Sequence, residues 1–185
     1  MRERPDGSQT QSETADRVHS SRDTPQRAAS ATSRVTLREI TEDTVIDVVR
    51  LKVAQDQERF VAPNAVSLAQ ALFSRTAWYR AIYLDDAPVG FVMLSDDSLS
   101  PSPPADPEIW IWRFMVDERY QGQGIGAAAL RLVIDHVRRK GGFKSLQLSF
   151  VPGDGGPEGL YLAAGFKHTG RVEEDEVVLE LPLVS

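Results

Sequence analysis

The spacing of apolar residues changes several times along the chain, and each change marks an element. VTLREI (35–40) alternates apolar and polar positions, the pattern of a strand with one face buried. Val45, Val48 and Val49 then recur at helical intervals behind Thr41, Glu42 and Asp43, which predicts a short helix opening at Thr41. Pro63 and Asn64 read as a break, with Ser67 capping a second helix over LAQALF. WYRAIYL (78–84) and PVGFVMLS (88–95) flank Asp85-Asp86 and predict a hairpin. Pro101, Pro103, Pro104 and Pro107 mark a loop.

Next comes an apolar strand, IWIWRFMV (109–116), followed by DERYQGQGIG and an amphipathic helix that Gly141-Gly142 end. SLQLSF (145–150) is a further strand, and VPGDGG a loop. Pro157 suits the first turn of a short helix through Tyr161 and Ala164, stopped by Gly165. FKHTGRV and EVVLELPL close the chain as a hairpin across Glu173 to Asp175. The order β, α, α, β, β, β, α, β, α, β, β predicts an α/β arrangement around a mixed sheet, with no internal repeat.

Residues 1–33 break this regularity. They are rich in Ser, Thr, Gln and Arg and poor in large apolar side chains, so burial cannot offset the entropy of ordering them. A disordered N-terminal extension is expected there, with one domain over 34–185. Five arginines in the extension cancel five acids, so the net charge of −6 lies in the domain. An acidic surface disfavours nucleic acid and suits cationic small molecules, although solubility alone would also explain it. No apolar run reaches the ~20 residues that span a bilayer, and the N-terminus has no apolar signal core, so a cytoplasmic location is expected, with no membrane partner. The sequence has no cysteine, which excludes disulfides and a thiol nucleophile, and the three histidines (His19, His136, His168) show no metal-ligand spacing.

The chemistry points to QGQGIGA (121–127). Glycines bring backbone amides close to a ligand, and the first amides of a helix are unpaired at the positive end of its dipole. A strand that runs through glycines into a helix start therefore forms a cradle for phosphate. Gly122, Gly124 and Ala127 approach a dinucleotide fingerprint, but the next strand, SLQLSF, lacks the acid that would hold a ribose. Ile125-Gly126-Ala127 lacks the Lys-Ser or Lys-Thr of a P-loop. A turn that only packs helix on strand is the structural alternative.

The turn has company, however. Gln121-x-x-Gly124-x-Gly126 directly follows a strand ending FMV; then come LQLSF, VPGDGG, Leu160-Tyr161 and Gly165-Phe166. In order and spacing, over about residues 34–185, this resembles the GNAT superfamily of N-acetyltransferases. WRFMVDERYQGQGIG and FVAPN (60–64) look most like its diamine and polyamine (spermidine/spermine) acetyltransferases.

The resemblance implies a mixed, mostly antiparallel seven-stranded sheet with about four helices, splayed between the fourth and fifth strands. It implies acetyl-CoA as co-substrate and no metal. Gln121 opens the motif, and the amides of Gly122, Gln123, Gly124, Ile125, Gly126 and Ala127 would hold the pyrophosphate. The backbone of Phe114, Met115 and Val116 would pair with the pantetheine arm, although Phe114 and Val116 side chains also suit a core. Asp154 stands where the family usually has Asn, and it cannot donate a hydrogen bond. Tyr161 would supply a proton to the departing thiolate. A homodimer is a further expectation from the resemblance.

The implied activity is transfer of acetyl from acetyl-CoA to a primary amine of a small polyamine-like substrate, by direct attack in a ternary complex because no cysteine can carry the acetyl group. Asp56, Glu58, Glu108, Glu174 and Glu176 are candidate clamps for a distal ammonium, with Glu39 and Glu42 weaker ones; each singly could equally be a solvated surface acid. Trp110 and Trp112 alternate with Ile111 and read as core, or as a wall of the amine pocket. Arg113 is expected to pair with an acid. An antibiotic (aminoglycoside-like) or protein N-acetyltransferase, and a non-catalytic acyl-CoA sensor, are the rival readings.

Overall fold

Seven strands, β1 (Val35–Arg38), β2 (Ala77–Leu84), β3 (Ala87–Asp96), β4 (Ile109–Val116), β5 (Ser145–Phe150), β6 (Lys167–Glu173) and β7 (Glu176–Pro182), form one sheet in the computed structural model, which describes residues 33–183. The strand order is β1-β2-β3-β4-β5-β7-β6, and every pair is antiparallel except β4 with β5. Four helices accompany it: α1 (Val45–Val49), α2 (Asn64–Ala71), α3 (Ile125–Lys140) and α4 (Glu158–Ala163). Element order and sheet type are those expected from the pattern. The expected extension, Ser33 apart, lies outside the described residues.

The amphipathic stripe of α3 fixes which face of the sheet it covers. Ile125, Ala129, Leu130, Val133, Ile134 and Val137 pack on Ile82, Val92, Leu94, Ile109, Leu146, Leu148 and Leu179. On the other face, α1 and α2 bury Val48, Leu51 and Ala71 against Ala81, Phe91, Met93 and Met115. Central β3 is therefore buried on both sides, as its run Phe91–Leu94 shows. Leu146, Leu148 and Phe150 belong to the α3 side, so Gln147 and Ser149 between them turn to the opposite one.

Three boundaries differ from expectation. Instead of breaking the chain, Pro63 starts α2, because a proline needs no N–H donor at a helix start. The Ser67 hydroxyl does not cap; it donates back to the Pro63 carbonyl at 3.3 Å from within the helix. Asn64, buried, donates to the Val48 carbonyl at 2.9 Å and so ties α2 to α1. α1 begins at Val45 behind Thr44 and not at Thr41, whose N–H is taken by the Thr44 hydroxyl at 2.9 Å. β1 likewise ends at Arg38, short of Ile40.

The sheet departs from regular pairing along β4. Met93 pairs with Arg113 and Leu94 with Ile111, leaving Trp112 as the extra residue of a β-bulge. β4 pairs with β5 only over Ile109–Ile111 opposite Leu146–Leu148. Beyond Ile111 the two strands part. β3 stays close to β4 along this stretch through Gly90, where an added Cβ would lie 2.5 Å from the Met115 carbonyl oxygen.

Gly90→Ala should therefore force the β3–β4 pair apart and cost about 1–3 kcal/mol, read as a lowered urea midpoint. His136 gives a second expectation. Its ring stacks on Trp78 at 4.2 Å, and burial, followed by Arg139, Lys140 and Arg80, lowers its pKa against an upward pull from Asp96. The folded state thus binds this proton less readily than the unfolded chain. The stability involved is present above about pH 6.5 and is lost as pH falls from there through the lower folded pKa. Urea titrations should show that decline in the wild type and less of it in His136→Gln.

Candidate active site

Where β4 and β5 diverge, a cleft of about 920 Å³ opens, lined by the backbone and side chains of β4, the end of β5, α4 and the segment before α2. Phe114, Met115 and Val116 lie on the part of β4 that has left β5, so their edge is not spanned by sheet pairing on that side. The opposite edge of the same residues remains paired to Val92, Phe91 and Gly90. An extended ligand with amide groups could add there as a further strand.

At the end of β4 the chain enters the glycine turn, held by a buried carboxylate. Asp117 is 1% exposed; its Oδ1 accepts from the Arg119 N–H at 3.1 Å and Nε at 2.7 Å, and its Oδ2 from the Lys52 N–H at 3.1 Å. The same hydrogen bond raises the Arg119 pKa above its ordinary value, so that guanidinium stays charged. Gly122 and Gly124 take left-handed φ values of 72° and 77°, where a side chain would be strained, and an added Cβ would meet nothing within 4 Å. The cradle is open, and α3 begins at its rim with Gly124 as N-cap. These features suit a diphosphate at the helix start.

Within the turn the expected residues play different parts. Gly122 and Gly126 line the cleft, with Gln121 between strand and turn. The Gln121 amide donates to the Val116 carbonyl at 2.9 Å and to Gln57 Oε1 at 2.8 Å, so its side chain braces the turn. Ile125 is buried in the α3 core, and Gln123 donates to the Arg119 carbonyl at 3.3 Å. Gln123, Gly124, Ile125 and Ala127 stand behind the lining.

Tyr161, on α4, is 6% exposed and faces the cleft. Its ring is fixed by Phe150 of β5 at 6.4 Å and by Phe166 edge-on at 5.9 Å. Burial raises the phenol pKa well above the usual value of about 10, so it remains protonated throughout the neutral range.

The far end of the cleft is polar and aromatic. Trp110 and Trp112, one of whose expected places was the core, are half-buried cleft walls. The bulge and the lost β5 pairing are what uncover them, and neither is visible in an alternating sequence. Glu176 also lines the cleft, its carboxylate accepting the Ser149 hydroxyl, and so does Glu58. Glu108 does not: it accepts the Trp110 indole N–H at 3.0 Å and acts as that ring's anchor. Glu174 is at the tip of the β6–β7 hairpin with φ 55°, outside the lining. Asp56 is exposed, its carboxylate reaching toward Gly155. Asp154 is exposed too, and contributes only its backbone carbonyl to Arg59 at 3.3 Å. Glu39 pairs with Arg80 at 3.2 Å, and Glu42 is exposed.

Two contributors escaped the sequence reading. Asp117 had a local signal, an acid between a strand and a glycine turn. Gln57 had none. Arg113, expected to pair with an acid, instead donates to the Trp112 carbonyl at 2.7 Å and Gln70 Oε1 at 3.3 Å, with its Nε buried and unpartnered. Burial lowers its pKa, with Glu176 pulling the other way. Leaving a buried donor unmade costs about 1–3 kcal/mol. Among the described residues no group of His, Asp and Glu is arranged to hold a metal, and no helix is long and apolar enough to cross a membrane.

Known proteins resemble this chain in sequence and fold. The spermine/spermidine N(1)-acetyltransferase of Bacillus subtilis (strain 168) is 28% identical over 144 residues, covering 75% of this chain and 91% of that protein. The GNAT domain of S. lividans PAT superposes with a TM-score of 0.62 at 22% identity, covering 82% of this chain and 90% of its own. AtaTR bound with AcCoA gives a TM-score of 0.61 at 18% identity, covering 80% and 94%. The model of the acetyltransferase (GNAT) family, whose members use acetyl-CoA, matches residues 45–166. That span holds the parting strands, the glycine turn and Tyr161, and by it the chain belongs to the GNAT family and is an N-acetyltransferase.

Proposed function

We propose that the protein transfers acetyl from acetyl-CoA to the primary amine of a small, polyamine-like substrate, by direct attack in a ternary complex. The observation that carries this is the position of Tyr161, a protonated phenol facing the same cleft as the β4 backbone that β5 has left. The relative that acts on spermine and spermidine supports the amine class.

The amides of the turn from Gly122 to the first residues of α3 would hold the diphosphate, and the free edge of Phe114, Met115 and Val116 the pantetheine amides. Acetyl-CoA supplies, when bound, the activated thioester carbonyl that an amine can attack. Tyr161 gives its hydroxyl proton to the departing sulfur. Thiol pKa is about 8.5 against about 10 for phenol, so the transfer is uphill in water. Burial weakens the phenol as an acid, but the same apolar surroundings make a thiolate a stronger base, and the gap stays bridgeable. A positioned donor of this kind contributes ~10²–10⁴-fold.

The amine must be neutral to attack, and an alkylammonium of pKa ~10.4 is only ~0.04% neutral at pH 7, a cost of about 4.6 kcal/mol. A carboxylate on the reacting nitrogen would raise that pKa further. β4 carries none between Ile109 and Val116, so the reacting nitrogen faces carbonyls and water. Glu58 and Glu176 serve a second, distal ammonium.

Free-thiol release with a panel of spermidine, aminoglycosides and peptides should show turnover of the small amines first. Tyr161→Phe should lower kcat at least tenfold, more at low pH, with the KM for acetyl-CoA little changed; an unaltered kcat would remove the tyrosine from the mechanism. Because the phenol stays protonated, wild-type kcat/KM should climb with pH as the amine loses its proton, without a falling limb from Tyr161 below about pH 10. Asp117→Ala should loosen the cradle, raising the acetyl-CoA KM at least several-fold while kcat at saturation changes less.

A further inference from the structure

Acetyl transfer at Tyr161 leaves Arg113 without a task. Its guanidinium is half-buried, lines the cleft and folds back over the Trp112 ring at 5.5 Å. Every acceptor it holds is a neutral oxygen: the Trp112 carbonyl and the Gln70 amide. Its Nε is buried with no acceptor, and among the described residues no carboxylate forms an ion pair with it. A cation withdrawn from water calls for a counter-charge, and the fork geometry of arginine fits a carboxylate. Glu176 bounds the same end of the cleft, held by Ser149, and its charge is felt at Arg113 across the gap.

The diphosphate of the co-substrate does not answer this charge. Arg113 stands three residues before Val116, ~10 Å back along the strand from the start of the glycine turn. A plain polyamine does not answer it either, since it would bring only further positive charge to the guanidinium. An α-amino acid head group carries an ammonium and a carboxylate one carbon apart, which suits a glutamate and an arginine that face each other across the gap.

Resting on the acyl-transfer reading, we propose that Arg113 binds a carboxylate of the acceptor, whose preferred form is a diamino carboxylic acid. Its α-ammonium faces Glu176, its carboxylate faces Arg113, and its side-chain amine reaches the gap beside Tyr161. The diamine arm of a polyamine is kept; an acid is added to it.

Two matched pairs test this, lysine against cadaverine and ornithine against putrescine, each differing only by the carboxylate. At saturating acetyl-CoA, thiol release by the wild type should give kcat/KM at least tenfold higher for the acid of each pair. Arg113→Gln should bring that ratio close to one, with the acetyl-CoA KM unchanged. A wild type that prefers the plain diamines overturns the proposal, as does an Arg113→Gln variant that loses both members of a pair in proportion. Thiol release with other amines but none of these four also overturns it while the transferase reading stands. Absence of release with any amine removes both.

Discussion

The structure turns on a sheet that stops pairing. β4 and β5 are held by three residue pairs and then separate, while β3 continues to hold the other edge of β4. A sheet edge left unpaired in the middle of a domain is costly unless something satisfies it, because backbone donors and acceptors demand partners. The domain accepts this exposure in one place, between a buried tyrosine and an open glycine turn. That coincidence supports reading the gap as a site and not a packing fault.

What keeps the gap from closing lies on both sides of it. Behind β4, the α3 stripe and the α1–α2 pair clamp β3 and β4 between two apolar layers. Beside it, β5 is tied to β7 along its whole length, Ser145 to Phe150. The α3 helix joins the two walls as the crossover that a parallel pair requires, and its first turn forms the floor at the open end. The clamp of Asp117 on Arg119 and Lys52 then fixes the turn relative to the segment ahead of α2.

How much of this the sequence disclosed depends on how local the physics is. Glycine conformation is local, so Gly122, Gly124, Gly141 and Gly165 could be placed from composition alone, as could the Asp85 and Glu174 turns. Pro63 misled because one residue type both ends helices and starts them, and only the Pro63 carbonyl, which accepts the N–H groups of Val66 and Ser67, decides between the two. The two tryptophans stayed open between core and cleft wall for a non-local reason: which way an alternating residue faces depends on a bulge and on a neighbour strand's departure. The carboxylates show the same limit. Glu58 and Glu176 reach the cleft and Glu108 and Glu174 do not, although all four are alike as letters in a chain; sheet register and hairpin geometry separate them.

The Gln121 amide spans from the turn to Gln57, in a stretch that carries no strand and sends Leu51, Val53 and Val61 into one apolar cluster only. The tip joining β6 to β7 is at the outer margin of the sheet. On the proposed reading the acceptor end of the cleft, with Glu58 and Glu176, lies beside these margins, while transfer rests on β4 and Tyr161. On that reading, editing those margins would exchange one acceptor for another in a lineage carrying this architecture and keep its reaction intact.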